Sequence, residues 1–317
     1  MTELSRTARM PRICSLLPSA TEIVYALGLG DQLVAVTHEC DYPPEARAKP
    51  HVTRSAINSN ELTAAQIDQA VRDSLENLET IYFLDRETLE QTIPDLVLSQ
   101  ELCEVCAVGT REVARIVSSL PHQPQVVSLE PRTIGEMLDT ILQVGRLTGT
   151  LRRAIYVVDE LRRRLDDVQA AIAGRTPVST LTLEWLDPVF VGGHWVPEMV
   201  ALAGGVDVLG RAAEPSRQVD WSEVSSTEPE KVIVMPCGFG LERSRQELSD
   251  IVLPGEWWSL PAVRNGEVYV VDGSSYFNRP GPRLVDGVET LAAIFHPEAG
   301  VKAPEGAFAR AALAGTR

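Results

Sequence analysis

The sequence predicts an α/β fold: two three-layer α/β lobes with mainly parallel sheets, joined by one long helix. Short apolar strands alternate with amphipathic helices on both sides of the middle of the chain, which favours parallel β–α–β units. Residues 150–173 keep a single apolar stripe at helical spacing. A length of 317 residues suits two domains better than one. We expect a first lobe over residues 1–148, a connecting helix over 149–175 and a second lobe over 176–317.

The first lobe is expected to begin with a strand at residues 12–17. Ser19 lies three residues before Glu22, which is the capping-box spacing, and predicts the start of the helix that ends at Gly28. Further strands are expected at residues 33–37, 95–100 and 125–129, and further helices at 61–78, 110–120 and 134–147.

The second lobe is expected to repeat this plan. The patterns predict strands at 178–183, 231–235 and 268–271, and helices at 195–203, 241–251 and 284–295. The tail after Pro297 is rich in Ala and Gly and is expected to be frayed.

The stretch 183–205 is the most informative part of the chain. It combines large aromatic side chains with Gly192, Gly193 and the titratable ring of His194. Read as strand, loop and helix, it places the loop at the carboxyl end of a strand, where open α/β sheets bind ligands. We therefore interpret it as the floor of a ligand cleft. The alternative is an ordinary strand-to-helix connection in which Trp195 belongs to the core.

The net charge and the distribution of apolar residues disfavour several classes of function. The formal net charge of −15 argues against nucleic acid or an anionic membrane as partner, since both need a basic surface. The sequence shows neither a signal-peptide-like apolar run before the first strand nor a stretch that reaches the roughly 18 apolar residues of a membrane span. These features predict a cytoplasmic protein without membrane insertion, or a periplasmic one if the true start of the chain lies elsewhere.

Each loop that is dense in polar or aromatic residues follows a predicted strand. If the carboxyl edges of the two sheets face each other, these loops meet in one cleft, which is a usual place for a small ligand. The loops are residues 38–44, 101–106, 185–195, 236–239 and 276–283.

Several motifs in these loops resemble the cobalamin (vitamin B12)-binding family of class III substrate-binding proteins of ABC transporters. The similarity covers roughly residues 11–297 and rests on LLPSATE (16–22), HECDYP (38–43), LCEVCAV (102–108), EWLDP (184–188), GHWVPEM (193–199), PCGF (236–239) and YFNRPGPR (276–283).

The resemblance implies a periplasmic-binding-protein-like fold that holds a corrinoid between its lobes and passes it to an ABC permease. Stacking on the macrocycle would fall to Tyr42, Trp185, Trp195, Tyr276 and Phe277, because flat rings give a large contact area at low entropic cost. Polar contacts would come from Glu184, His194, Arg279 and Arg283. Siderophore or haem binding is a related alternative.

Cysteines support a second hypothesis. Cys103 and Cys106 have the spacing of metal sites, and Cys40 and Cys237 lie in other strand-end loops, with His38 as a spare nitrogen ligand. Four soft ligands could bind zinc or an iron–sulfur cluster. The competing interpretation is that Cys103 and Cys106 pack as small hydrophobic residues, as Cys14 does in its strand.

Catalysis is a third class. A Cys40 nucleophile beside His38 is disfavoured because adjacent residues in an extended loop point apart, and no third orienting group stands at a recognisable spacing. The sequence therefore predicts a non-catalytic corrinoid-binding protein, with the metal or iron–sulfur protein as runner-up.

Overall fold

The computed structural model describes residues 9–59, 62–77, 81–100 and 110–312. The chain forms two compact units, each assembled from three stretches. The first comprises Met1–Ala56, Asn77–Glu130 and Asp139–Val158, and the second comprises Ile57–Glu76, Pro131–Leu138 and Asp159–Arg317. The lobe boundaries drawn from the sequence remain a prediction.

The first unit contains a four-stranded sheet in the order β2-β1-β5-β6, and every neighbouring pair in it is parallel. The parallel sheet predicted for this part of the chain is thus confirmed. A separate antiparallel pair joins β3 to β4. The strands are β1 (Ile13–Ser15), β2 (Leu33–Val36), β3 (Thr53–Ser55), β4 (Tyr82–Leu84), β5 (Leu96–Ser99) and β6 (Gln125–Ser128).

Helices of the first unit pack apolar side chains onto these strands. Cys14 lies fully buried in that core, in the same cluster as Val97 and Val113, which confirms its prediction as a core residue. The helices in the first half of the chain are α1 (Pro18–Ala26), α2 (Ala64–Glu76), α3 (Arg86–Thr92), α4 (Thr110–Ser118), α5 (Ile134–Leu147) and α6 (Leu151–Ala171). Helix α2 belongs to the second unit, and α5 and α6 are each divided between the two units.

Helix α1 starts earlier than its predicted capping box. Leu17 is the N-cap residue and makes no side-chain cap bond, Pro18 occupies the first turn, and Ser19 is buried inside the helix. Proline suits the first helical position because its φ is already helical and its missing N–H would have no partner there. The capping box at Ser19 was therefore a wrong prediction.

The second unit contains a seven-stranded sheet. Its main path runs β10-β8-β7-β11-β12-β13, and β9 also pairs with β7. The centre of the sheet is parallel, whereas β8, β10 and β13 pair antiparallel. The strands are β7 (Val178–Leu186), β8 (Val189–Val191), β9 (Gly205–Asp207), β10 (Arg217–Gln218), β11 (Lys231–Val234), β12 (Val268–Val271) and β13 (Phe308–Arg310).

Helices follow most of these strands, and the core of the unit includes the fully buried Trp257. They are α7 (Val196–Leu202), α8 (Trp221–Ser225), α9 (Leu241–Asp250), α10 (Gly255–Ser259), α11 (Pro261–Arg264), α12 (Gly273–Tyr276) and α13 (Leu284–Phe295).

Two predictions for this unit were wrong. Strand β7 continues to Leu186 and returns as β8, so residues 183–195 form a hairpin before the helix and not a single loop. Val189, Phe190 and Val191 are residues of high strand propensity, which explains the second strand. The tail after Pro297 is not frayed throughout, because β13 pairs with β12.

Helix α6 begins in the first unit and ends in the second. It confirms the long helix predicted from the apolar stripe. Its sequence contains many charged side chains. Within the described ranges we find no helix that combines the length and the apolar character needed to cross a membrane.

Candidate ligand-binding site

A tight turn at residues 192–195 joins β8 to α7, and its glycines are required by close contacts. A Cβ on Gly192 would lie 2.3 Å from the Thr182 hydroxyl, and one on Gly193 would lie 2.2 Å from the backbone nitrogen of Ser216. His194 adopts a left-handed φ of 49°. That conformation costs a non-glycine residue about 1–2 kcal/mol, so the surroundings must hold it.

Residues 213–216, here called the crossing segment, supply that support. The His194 N–H donates to the Glu214 carbonyl at 2.5 Å, and the Ala213 N–H donates to the His194 carbonyl at 2.8 Å. The His194 side chain is half-buried. Burial, and then the positive charge of Arg132, lower the pKa of its imidazole, which favours the neutral ring.

Glu184 connects this turn to the sheet. The β7–β8 register shifts between Leu183 and Trp185, so Glu184 is the extra residue of a β-bulge, a feature that re-aims side chains. One carboxylate oxygen accepts the Gly193 N–H at 3.1 Å, and the other accepts the Ser216 hydroxyl. The sequence suggested contacts to ligand amides, but the structure engages both oxygens within the protein.

Burial, and to a smaller extent the charge of Asp207, raise the pKa of Glu184 to about 7 against the lowering effect of the two hydrogen bonds. Asp207 is itself satisfied by the Thr182 hydroxyl at 2.5 Å and by the backbone N–H groups of Leu209 and Gly210. Its pKa is also raised by burial. The turn is therefore accompanied by two carboxyl groups, Glu184 and Asp207, whose pKa values are both raised by burial.

Trp195 and Phe277 form a buried contact rather than a stacking surface. Trp195 is 6% exposed, Phe277 is fully buried, and the indole N–H of Trp195 donates to the Phe277 carbonyl at 2.6 Å. Because it is fully buried, Phe277 has no free face on which a ligand could stack in this structure, and Trp195 has little accessible surface. For Trp195 the core alternative fits this burial better than the stacking prediction.

Trp185 keeps an accessible ring. Its side chain is half-buried and packs at 5.3 Å between ring centroids against Phe239, over which the Arg243 guanidinium lies at 4.3 Å. The Trp185 indole nitrogen has no hydrogen-bond partner in the protein. That nitrogen is buried, so Trp185 would bind a ligand through the accessible part of its ring and not through its N–H.

Tyr276, Arg279 and Arg283 lie around the end of α12. All three are half-buried, and the Arg283 guanidinium lies 5.7 Å from the centre of the Tyr276 ring. The Trp195–Phe277 hydrogen bond ties this segment to the turn at 192–195. The second unit thus brings together five predicted ligand residues: Glu184, His194, Trp195, Tyr276 and Phe277.

Trp185, Arg279 and Arg283 also belong to the second unit, whereas Tyr42 and His38 belong to the first. Tyr42 is 45% exposed. The His38 ring nitrogen Nδ1 lies 2.7 Å from the Thr53 hydroxyl, and its ring lies 5.7 Å from that of Tyr82. Burial lowers the pKa of His38, although Glu39 opposes the shift. The convergence of the loops of both lobes on one cleft remains a prediction.

The metal hypothesis gains no support. Cys40 is buried with its sulfur 3.0 Å from the Thr21 hydroxyl, and Cys237 is an exposed free thiol. Cys103 and Cys106 lie outside the described residues. Among the residues that are described, no group of three or more His, Cys, Asp or Glu side chains is placed to hold a metal ion.

Residues 13–274 match the Periplasmic binding protein family. The chain belongs to this family. Membership confirms the prediction of a protein that binds a substrate and does not catalyse a reaction.

Relatives of this binding protein extend over nearly its whole length. The Vitamin B12-binding protein of Vibrio cholerae serotype O1 is 26% identical over 283 residues, which cover 88% of this chain and 87% of that protein. The crystal structure of the periplasmic vitamin B12 binding protein BtuF of Vibrio cholerae has a TM-score of 0.66 at 24% identity and covers 92% of this chain and 99% of that one.

A periplasmic haem binding protein from Pseudomonas aeruginosa has a TM-score of 0.71 at 18% identity, covering 96% of this chain and 99% of that one. These structures confirm the predicted fold class, but a shared fold does not identify a ligand. The solved relatives are described as periplasmic, so the predicted cytoplasmic location finds no support.

Sequence reasoning missed three parts of the site in this binding protein. The bulge at Glu184 depends on strand pairing, and the Ser216 and Asp207 contacts come from residues far from Glu184 in the chain. The adjacent glycines were the available signal, since paired glycines indicate a close backbone approach.

Gly193→Ala is expected to lower the free energy of unfolding by about 1–3 kcal/mol, because the added methyl group meets the backbone of the crossing segment and not a flexible side chain. Gly255→Ala is the matched control, since nothing lies within 4 Å of its Cβ position, and it should change stability by less than about 0.5 kcal/mol. Urea unfolding of both variants measures the difference. Equal effects would contradict the close contact.

Glu184→Gln is expected to stabilise the protein at alkaline pH. The folded-state pKa of about 7 exceeds the ordinary value near 4.5, so the stability that the protonated carboxyl contributes is lost as pH rises through this window. The glutamine carries no such charge. Its advantage over the wild type should grow by roughly 2 kcal/mol between about pH 5.5 and 8.5, as followed by urea unfolding at both pH values. A difference that does not change with pH would refute this assignment.

Proposed function

We propose that this binding protein binds a corrinoid such as cobalamin. The observation that carries the proposal is its similarity, over 88% of the chain, to a relative named Vitamin B12-binding protein. This is a similarity of sequence that extends along most of the chain and is not confined to one motif, which favours a ligand of the same class.

The contact residues we propose are those that combine predicted chemistry with accessible surface. Trp185, Tyr276 and Tyr42 offer ring faces, and aromatic faces suit the large flat corrin ring. The half-buried guanidinium of Arg279 suits the amide carbonyls at the edge of a corrin. Phe277 is left out because it is fully buried.

We also propose that the protein works in the periplasm and delivers its ligand to an ABC permease. The family to which it belongs and the relatives described as periplasmic support this role. The acidic net charge of −15 would favour a permease surface that is rich in basic side chains.

Titration of the purified protein with cyanocobalamin and, separately, with haem tests the ligand class. We expect isothermal titration calorimetry to show one cyanocobalamin per chain with a dissociation constant of about 1 μM or tighter, which corresponds to about −8 kcal/mol. Haem should bind at least about tenfold more weakly, a difference of about 1.4 kcal/mol. Tight haem binding without corrinoid binding would overturn the proposal and favour the related haem-binding function.

A further inference from the structure

Glu184 ties together three separately folded elements of the second unit. It belongs to β7, its carboxylate holds the turn at 192–195 through Gly193, and it holds the crossing segment through Ser216. The carboxylate contacts both partners only because the bulge turns it out of the regular strand alternation. Through these two hydrogen bonds Glu184 fixes the position of the turn relative to the crossing segment.

We propose that Glu184 is a positioning residue for the ligand site: by holding Gly193 and Ser216 together it fixes the turn that carries His194, whose ring lies 5.5 Å from that of Trp195. The inference rests on the proposed function for its effect on binding. Its structural part, the hold on the turn, stands independently of which ligand is bound.

The turn needs such a hold. Two backbone hydrogen bonds with the crossing segment keep His194 in the left-handed region. At Gly193 the turn and the crossing segment are so close that a Cβ atom would clash with the Ser216 backbone. If the crossing segment moved away, the support for His194 would be lost with it. Hydrogen bonds to an ionised carboxylate are roughly twice as strong as those between neutral groups, so Glu184 is well suited to keep the segment in place.

The hold depends on the protonation of Glu184. An ionised carboxylate accepts from both partners at once, whereas a protonated carboxyl must spend one oxygen as a donor. Because burial moves the pKa of this group close to neutrality, the change falls within an accessible pH range. The two hydrogen bonds to Gly193 and Ser216 are therefore stronger above about pH 7 than below it, although the buried charge makes the whole fold less stable in that range.

Other titratable and charged groups lie near the Glu184 carboxyl, and their effects on the pH dependence must be distinguished from its own. Asp207 lies below it, His194 and Arg132 lie on the side of the turn, and Glu214 and Arg217 belong to the crossing segment and the strand after it. The backbone N–H of Cys237 donates to the Glu184 carbonyl at 3.1 Å, so that thiol also lies on a neighbouring element.

The first experiment needs no ligand. In ¹H–¹⁵N spectra of the full chain recorded from about pH 5.5 to 8.5, the Gly193 amide resonance should shift with a midpoint near 7, since its acceptor changes charge there. Glu184→Gln should abolish the shift, and His194→Gln should leave it. A Gly193 resonance that does not titrate, or one that titrates equally in Glu184→Gln, would overturn the positioning role.

The second experiment measures cyanocobalamin affinity at the two ends of the same pH range. In the wild type the dissociation constant should rise at least about threefold at the lower pH, whereas in Glu184→Gln it should stay constant and match the low-pH wild type. Glu267→Gln is the control, because Glu267 pairs with Lys231 at the opposite end of the parallel strands and does not touch the turn. It should keep the pH dependence of the wild type.

The two experiments separate the two ideas. If the Gly193 amide titrates but cyanocobalamin binds to no variant, the proposed function fails and the positioning of the turn stands. If cyanocobalamin binds with the same affinity in wild type and Glu184→Gln at every pH, the positioning role in ligand binding is wrong although the function stands.

Discussion

Trp195→Ala is expected to lower the free energy of unfolding by about 3–5 kcal/mol, the usual cost of truncating a buried tryptophan. Trp195 is 6% exposed and packs at the start of α7. Its loss also leaves the Phe277 carbonyl without the indole N–H that satisfies it. A buried carbonyl left without a partner adds about 1–3 kcal/mol by itself. The burial of the ring favours the alternative in which Trp195 belongs to the core.

Trp185→Ala is the matched control. Trp185 is half-buried and its indole N–H has no partner to lose, so we expect a stability loss of about 1 kcal/mol together with a clear loss of cyanocobalamin affinity. Urea unfolding and calorimetric titration of both variants give the two comparisons. Equal stability losses in Trp195→Ala and Trp185→Ala would contradict the core assignment of Trp195.

Arg164→Ala is expected to cost about 3 kcal/mol of unfolding free energy, because it removes the positive partner of two shielded carboxylates. The Arg164 guanidinium on α6 donates to Asp286 at 2.5 Å and to Glu289 at 2.6 Å, both on α13. Its side chain is 27% exposed, and those of its partners are 21% and 18% exposed. Without the arginine, two like charges face each other away from bulk water.

Arg163→Ala is the control on the same helix. Arg163 pairs with Glu160 and Asp167, but all three side chains are well exposed, and such surface pairs contribute about 0–1 kcal/mol. Burial already raises the pKa of Asp286, and removing Arg164 should raise it further, so the deficit of Arg164→Ala should shrink at acidic pH. A loss no larger than that of Arg163→Ala in urea unfolding would show that the pair contributes little.

Much of the fold was predictable because its signals are local. Helix α13 and strand β12 were predicted with their observed bounds, and the parallel centre of both sheets followed from alternating strands and helices. The β8 strand, the bulge at Glu184 and the tail strand β13 were not predictable in the same way, because each depends on pairing with a strand that local propensity does not specify.

The candidate site was predictable as a stretch but not in its roles. The sequence predicted a ligand site around the turn at 192–195, and the structure shows there the close backbone approach that paired glycines indicate. It could not distinguish the accessible ring of Trp185 from the buried ring of Trp195, since that difference arises from the contact with Phe277 about 80 residues later in the chain. Nor could it show that Glu184 binds the protein's own backbone.

A crystal structure of the full chain grown with cyanocobalamin would locate the ligand. We expect a corrin ring within about 4 Å of the Trp185 ring, with the turn at 192–195 still bound to Glu184. Cyanocobalamin bound away from Trp185 and this turn, or no bound ligand at saturating concentration, would contradict this expectation.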